Sequence, residues 1–99
     1  MPRRVDDNQR EIVSTFRKLG MSVLILSDLG KGCPDLCLGL DGKCYLVEIK
    51  NGSHPPSKQK LTDAEQAFFD SWRGNVCVVN SVDNAIRFVE NIRQQVLFP

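Results

Sequence analysis

Pro34-Asp35-Leu36-Cys37-Leu38-Gly39-Leu40-Asp41-Gly42-Lys43-Cys44-Tyr45-Leu46-Val47-Glu48-Ile49-Lys50 reads as two strands joined by a tight turn. Apolar and small or polar residues alternate up to Leu40, and Asp41-Gly42 is the residue pair preferred in a two-residue I′ turn. Lys43 to Lys50 then reads as the returning strand, with Tyr45, Val47 and Ile49 on one face. If Asp41 and Gly42 form the whole loop, Leu40 pairs with Lys43, Leu38 with Tyr45, Leu36 with Val47, and Asp35 with Glu48. One face then carries Leu36, Leu38, Leu40, Tyr45, Val47 and Ile49, which is a core face. The other carries Asp35, Cys37, Gly39, Cys44, Leu46, Glu48 and Lys50. Directly opposed side chains have Cβ atoms roughly 4.5–5.5 Å apart, and like charges there destabilise. A divalent ion with oxygen ligands between Asp35 and Glu48 removes that penalty. Lys50 lies two residues past Glu48 and projects from the same face. The plainer alternative is that these three are ordinary solvated strand residues. Against it stand the opposition of two acids, the apolar residues on both sides of Glu48, and the Gly30-Lys31-Gly32-Cys33-Pro34 loop, whose glycines let backbone approach a ligand.

Outward from the hairpin, elements alternate. Asp6 or Asp7 can cap a first helix that runs to about Leu19 and stops at Gly20, with Ile12, Val13, Phe16 and Leu19 as its apolar stripe. Glu11 falls at the edge of that stripe, about 100° from Ile12. Met21 to Ser27 is a short apolar strand. Beyond the hairpin, Asn51-Gly52-Ser53-His54-Pro55-Pro56-Ser57 reads as loop. Thr62 with Glu65 forms a capping box, so a second helix starts near Asp63, with Phe68, Phe69 and Trp72 as its buried face and Gly74 as its end. Asn75 to Asn80 is a fourth strand. Ser81 caps a last helix carrying Ile86, Val89, Ile92 and Val96. The order αβββαβα implies an α/β fold, a central mixed sheet with helices packed on it.

Ninety-nine residues make a single domain, 1–99, with room for a modest core. The formal net charge is only +1, so any surface for a polyanion must be local. No stretch approaches the roughly 20 apolar residues of a membrane span. Nothing after Met1-Pro2-Arg3-Arg4 reads as a secretory signal. Cys33, Cys37, Cys44 and Cys77 lack the paired spacing of a zinc cluster and read as reduced thiols of a cytoplasmic protein.

Gly32-Cys33-Pro34-Asp35 followed by Val47-Glu48-Ile49-Lys50 resembles the PD-(D/E)xK nuclease superfamily, and within it the small stand-alone VRR-NUC domain of phages and bacteria. The resemblance runs from the first helix to the strand near Val76. It implies a restriction-endonuclease-like αβββαβ core, with a central mixed four-stranded sheet flanked by helices and an extra C-terminal helix. It implies metal-dependent hydrolysis of DNA phosphodiesters, in the cytoplasm of a bacterium or phage-infected host. Asp35 and Glu48 match the metal-binding acids, joined by the backbone carbonyl of Ile49, and Mg²⁺ or Mn²⁺ is the implied ion. Lys50 matches the motif lysine, which orients or deprotonates water or neutralises charge on the phosphate. Glu11 matches the assisting glutamate of the first helix, and Gln66 the glutamine of the following helix. Stand-alone members resemble Holliday-junction resolvases and act as homodimers, so a branched or four-way DNA junction is the expected substrate. A nicking nuclease or nuclease subunit without junction preference, and a non-catalytic DNA-binding module, remain the rival expectations.

Other residues admit two readings each. Lys31, Lys58 and Lys60, with Arg3, Arg4, Arg10, Arg17 and Lys18, can hold phosphates as a set or form a solvated surface singly. His54 can contact phosphate or sit exposed in its loop. Phe68, Phe69 and Trp72 can stack on bases, but their helical spacing favours a core role. The apolar tail Val96-Leu97-Phe98-Pro99 can contact a second copy or dock on the core.

Overall fold

The computed structural model describes residues 7–97, with side chains described as far as residue 95. Asp6, Arg3, Arg4 and the Phe98-Pro99 end of the tail therefore lie outside the described residues. The elements are α1 (Asp7–Lys18), β1 (Ser22–Ile25), β2 (Leu36–Leu40), β3 (Lys43–Ile49), α2 (Pro56–Gln59), α3 (Asp63–Ser71), β4 (Val76–Val79) and α4 (Val82–Leu97), with a 3₁₀ turn at Ser27–Leu29.

The hairpin decides the sheet. Asp41 (φ 53°) and Gly42 (φ 78°) both adopt left-handed backbone, the requirement of a I′ turn, and the strand twist matches it. The turn sets the pairing, so Leu40 meets Lys43, Leu38 meets Tyr45 and Leu36 meets Val47. The expected register is thus the observed one from Leu40–Lys43 to Leu36–Val47, while the expected Asp35–Glu48 pair falls just beyond the ladder. β1 adds antiparallel to β2, and β4 adds parallel to β3. The result is a mixed four-stranded sheet in the order β1-β2-β3-β4, within an α/β fold. A parallel β3–β4 pair needs a crossover, and residues 50–75 supply it with α2 and α3.

One face of the sheet holds the core. Leu36, Leu38, Val47 and Val79 are almost wholly buried, under Ile12, Val13 and Phe16 of α1 and Ala85, Val89 and Ile92 of α4. Phe88 closes it, edge-on to Phe16 (6.1 Å) and Tyr45 (5.8 Å). Each such side chain contributes about 1.5–3 kcal/mol of apolar burial. Ser81 caps α4 as expected, its Oγ accepting from the Asn84 amide at 3.0 Å. The buried stripe of α4 runs through Ala85 rather than Ile86, which is half-buried. The reason is phase: residues 85, 89 and 92 share the face that meets the sheet.

The opposite face is covered less well. α3 carries the expected capping box between Thr62 and Glu65, yet none of its described residues is fully buried. Phe68 and Phe69 are half-buried, and Trp72 is 45% exposed. The expected buried face of this helix is thus corrected to a partial contact, in which Phe68 and Trp72 stack on each other at 5.2 Å. Leu24 and Val78 on that side of the sheet are also exposed. The expectation that residues 51–57 are all loop is corrected too: Pro56 opens the four-residue α2, where its missing N–H is one of the unpaired donors of a helix start.

Candidate metal centre

The ladder between β2 and β3 ends at Leu36–Val47. One step further on, Asp35 and Glu48 come to the same sheet face by strand alternation. Asp35 is held from two sides. Its backbone carbonyl accepts from the Leu26 amide (2.7 Å), and its Oδ2 accepts from the Ile49 amide (2.9 Å). The carboxylate therefore takes an amide of β3 just past the end of the ladder. Pro34 before it is fully buried, has no N–H to satisfy and disfavours helical backbone at Cys33.

Glu48 is the one charged residue type in the described core, only 4% exposed. Its carboxyl is pushed up to about 9: burial raises it most, then the charge of Asp35, a hydrogen bond with Glu65 and that residue's charge, against the pull of Lys50. Without a cation, Glu48 therefore keeps its proton at neutral pH. The Cys33 thiol is raised by burial and then by the charges of Asp35 and Glu48, which places it in the same field.

Lys50 is fixed along its length. Its amide donates to the Val79 carbonyl (3.1 Å), and its carbonyl accepts from Asn8 Nδ2 (2.8 Å), which also reaches the Asn80 carbonyl (3.4 Å). Its Nζ lies 3.8 Å from Glu48 Oε2 and donates to Glu65 Oε1 at 2.7 Å. Glu65 also accepts from the Thr62 amide (2.8 Å). Burial raises the Glu65 carboxyl, but its bonds to Lys50, Thr62 and Glu48 outweigh burial and leave it below the ordinary value. The loop before Asp35 presses on the same helix turn. A Cβ at Gly32 (φ 80°) would run into the Ala64 carbonyl, so only glycine allows this approach.

Asp35, Glu48 and Lys50 are thus brought together, with Ile49 between the last two. Glu11 is exposed and lines a polar cleft with Asn8, Asn51, Gly52, Asn80, Ser81 and Asp83, a cleft whose walls do not include Asp35 or Glu48. Gln66 is exposed and donates to Asp70 Oδ1 at 2.9 Å. It is Glu65, one position earlier, that reaches the site. Lys31, Lys58 and Lys60 are exposed, and so is His54, whose carbonyl accepts from Gln59 Nε2 (2.7 Å). Glu65 and Asn8 were not singled out from the sequence. Glu65 carried one signal, its capping-box place, which accounts for the residue without invoking a site. Asn8 carried none.

Among the described residues no group of three or more His, Cys, Asp or Glu is arranged to hold a metal. The groups that could hold an ion, the Asp35 and Glu48 carboxylates and the expected Ile49 carbonyl, would all offer hard oxygens. That set fits Mg²⁺ or Mn²⁺, since such ions use one or two carboxylates and fill the shell with water and substrate phosphate. Among the described residues no helix is long and apolar enough to cross a membrane. No family model, curated protein or solved structure matches the chain.

Proposed function

We propose that this chain is a divalent-metal-dependent deoxyribonuclease with a restriction-endonuclease-like core. The observation that carries the reading is the buried Glu48 beside Asp35, with the Lys50 ammonium 3.8 Å from it. A structural sheet gains nothing from burying one acid next to another, because desolvation and like charge both oppose it. Asp35, Glu48 and the Ile49 carbonyl would hold Mg²⁺ or Mn²⁺. Bound there, such an ion polarises the scissile phosphate and lowers the pKa of water.

The chain's own groups do the rest. The Ile49 amide locks the Asp35 rotamer, so this donor needs little reorganisation. Glu48 would release its proton to solvent on ligating such an ion. Lys50, held near Glu48, presents a charge to the phosphate or a proton-transfer group to the water. Lys31, Lys58 and Lys60 are exposed and free to offer phosphate contacts.

The substrate we propose is branched DNA, cut by a homodimer. Two copies related by a two-fold axis present matching sites to the two strands of a symmetric junction. The test incubates purified protein with a labelled four-way junction, a flap and a linear duplex, in Mg²⁺ or Mn²⁺ and in EDTA, beside Asp35→Ala. The expected result is junction cleavage that needs the ion and Asp35. Equal cutting of all three substrates favours a nicking nuclease. Cleavage in EDTA, or binding without cleavage in both metals, overturns the proposal.

A further inference from the structure

We infer that Glu65 is the positioning residue of this site: its carboxylate, set by the first turn of α3, holds the Lys50 ammonium beside Glu48. The inference rests on the proposed hydrolase reading and names a residue that reading does not use.

Three observations converge. Lys50 Nζ is closer to Glu65 (2.7 Å) than to Glu48 (3.8 Å), so Glu65 is the partner that decides where the ammonium sits. Both side chains are withdrawn from solvent, Lys50 to 13% and Glu65 to 16% exposed, so water screens the pair weakly. Finally, Glu65 is not a free surface acid. Thr62 donates its amide to the same Oε1, and the Glu65 amide donates to Thr62 Oγ1 (3.2 Å), so the capping box fixes the side chain. A lysine has four rotatable stem bonds and a compact charge. Without a fixed partner it would spread over many rotamers. The close packing of Gly32 on Ala64 holds the loop carrying Asp35 against the same helix turn. The two halves of the site are thus indexed to one structural element.

The test compares the wild type with Glu65→Gln, Thr62→Ala and Lys50→Ala. Gln still accepts from the Thr62 amide and keeps the cap, so Glu65→Gln removes the charge while preserving the helix start. Thr62→Ala removes only the hydroxyl that accepts from the Glu65 amide and keeps the backbone amide that donates to Glu65 Oε1, so it weakens the helix start while the carboxylate and its lysine stay in place. Four quantities are read: melting temperature, Mn²⁺ affinity by calorimetry, kcat and KM on the labelled junction, and the rate at which an amine-reactive ester acylates Lys50, followed by mass spectrometry.

Glu65→Gln should lower kcat about 10- to 100-fold, the usual loss for a group acting through another, with KM nearly unchanged. It should also leave Mn²⁺ affinity near the wild-type value, speed acylation of Lys50 severalfold, and add no further loss of kcat in the Lys50→Ala background. Thr62→Ala should lower the melting temperature while leaving kcat and acylation near wild type. Wild-type acylation of Lys50 in Glu65→Gln overturns the inference, and so does a Thr62→Ala variant that reproduces the whole Glu65→Gln pattern. If the wild type cleaves nothing, the hydrolase reading fails, and the acylation rates still decide whether Glu65 holds Lys50.

Discussion

The two faces of the β2–β3 ribbon differ in what burial does for them. On the inner face, Leu36, Leu38, Tyr45, Val47 and Ile49 lose water and gain packing under α1 and α4. On the outer face, Glu48 loses water just as fully, but it gains the neighbouring charge of Asp35. Alternation along one strand thus separates the residues that stabilise the fold from those that strain it. The contrast extends to the helices: α1 and α4 bury apolar stripes, whereas α3 meets the outer face mainly through its first turn and half-buried aromatics. Substitutions on one face should therefore move stability and leave the chemistry of the other face readable.

Asp35→Asn tests that separation most severely. The amide oxygen can still accept from Ile49, so the melting temperature should stay near the wild-type value. Metal-dependent cleavage should fall to background, as measured on the labelled junction. A variant that unfolds instead would show that the two faces are not separable.

Leu38→Ala, on the inner face of the same ribbon, should do the reverse. Removing a fully buried leucine destabilises by about 2–5 kcal/mol, read from urea unfolding, with residual activity per folded molecule retained. That is a large part of the roughly 5–15 kcal/mol available to a domain.

The outer face should also reveal itself through pH. The folded Glu48 carboxyl titrates at about 9, above the ordinary 4.5. Between those values the folded metal-free protein holds a proton that the unfolded chain has lost, so stability falls as pH rises through that window. Glu48→Gln should flatten this slope and raise the melting temperature at pH 9. Added Mn²⁺ should oppose the slope, because its binding displaces the proton and strengthens as pH rises. A wild-type melting temperature that climbs from pH 6 to 9 without metal would contradict the buried, protonated acid.

The smallest effect concerns the loop that leads to Asp35. Lys31 holds left-handed backbone (φ 57°) between two glycines that do the same. Lys31→Gly should relieve about 1 kcal/mol of that strain in thermal melts. On the proposed function it should also weaken DNA binding and flatten its dependence on salt, since the phosphate contact proposed for Lys31 would be lost.

Much of this arrangement is legible in the residues. Asp41-Gly42 and the alternation around it are enough to state the register, because the I′ turn leaves no slack between Leu40 and Lys43. The shared face of Asp35, Glu48 and Lys50 follows by parity. Thr62 and Glu65 mark the start of α3, and Ser81 that of α4. The exposure of Trp72 is not legible, because helical spacing of aromatics looks the same whether the helix is covered or lies at a sheet margin. Gln66 and Glu65 are adjacent, and their roles depend on a rotation of about 100° around α3 that only its docking sets. Asn8 reaches the Lys50 carbonyl from 42 positions away along the chain, a meeting that no local pattern encodes.

What the chain determines by itself is therefore periodic and local: strand alternation, turn chemistry, helix starts, and the two acids one step past the ladder. Tertiary structure decided which of two neighbouring side chains on α3 meets Lys50, how far Glu48 is removed from water, and that Glu11 lines a different cleft. Those outcomes turn on how elements dock over long separations, where a small rotation exchanges one residue for the next and one dielectric environment for another.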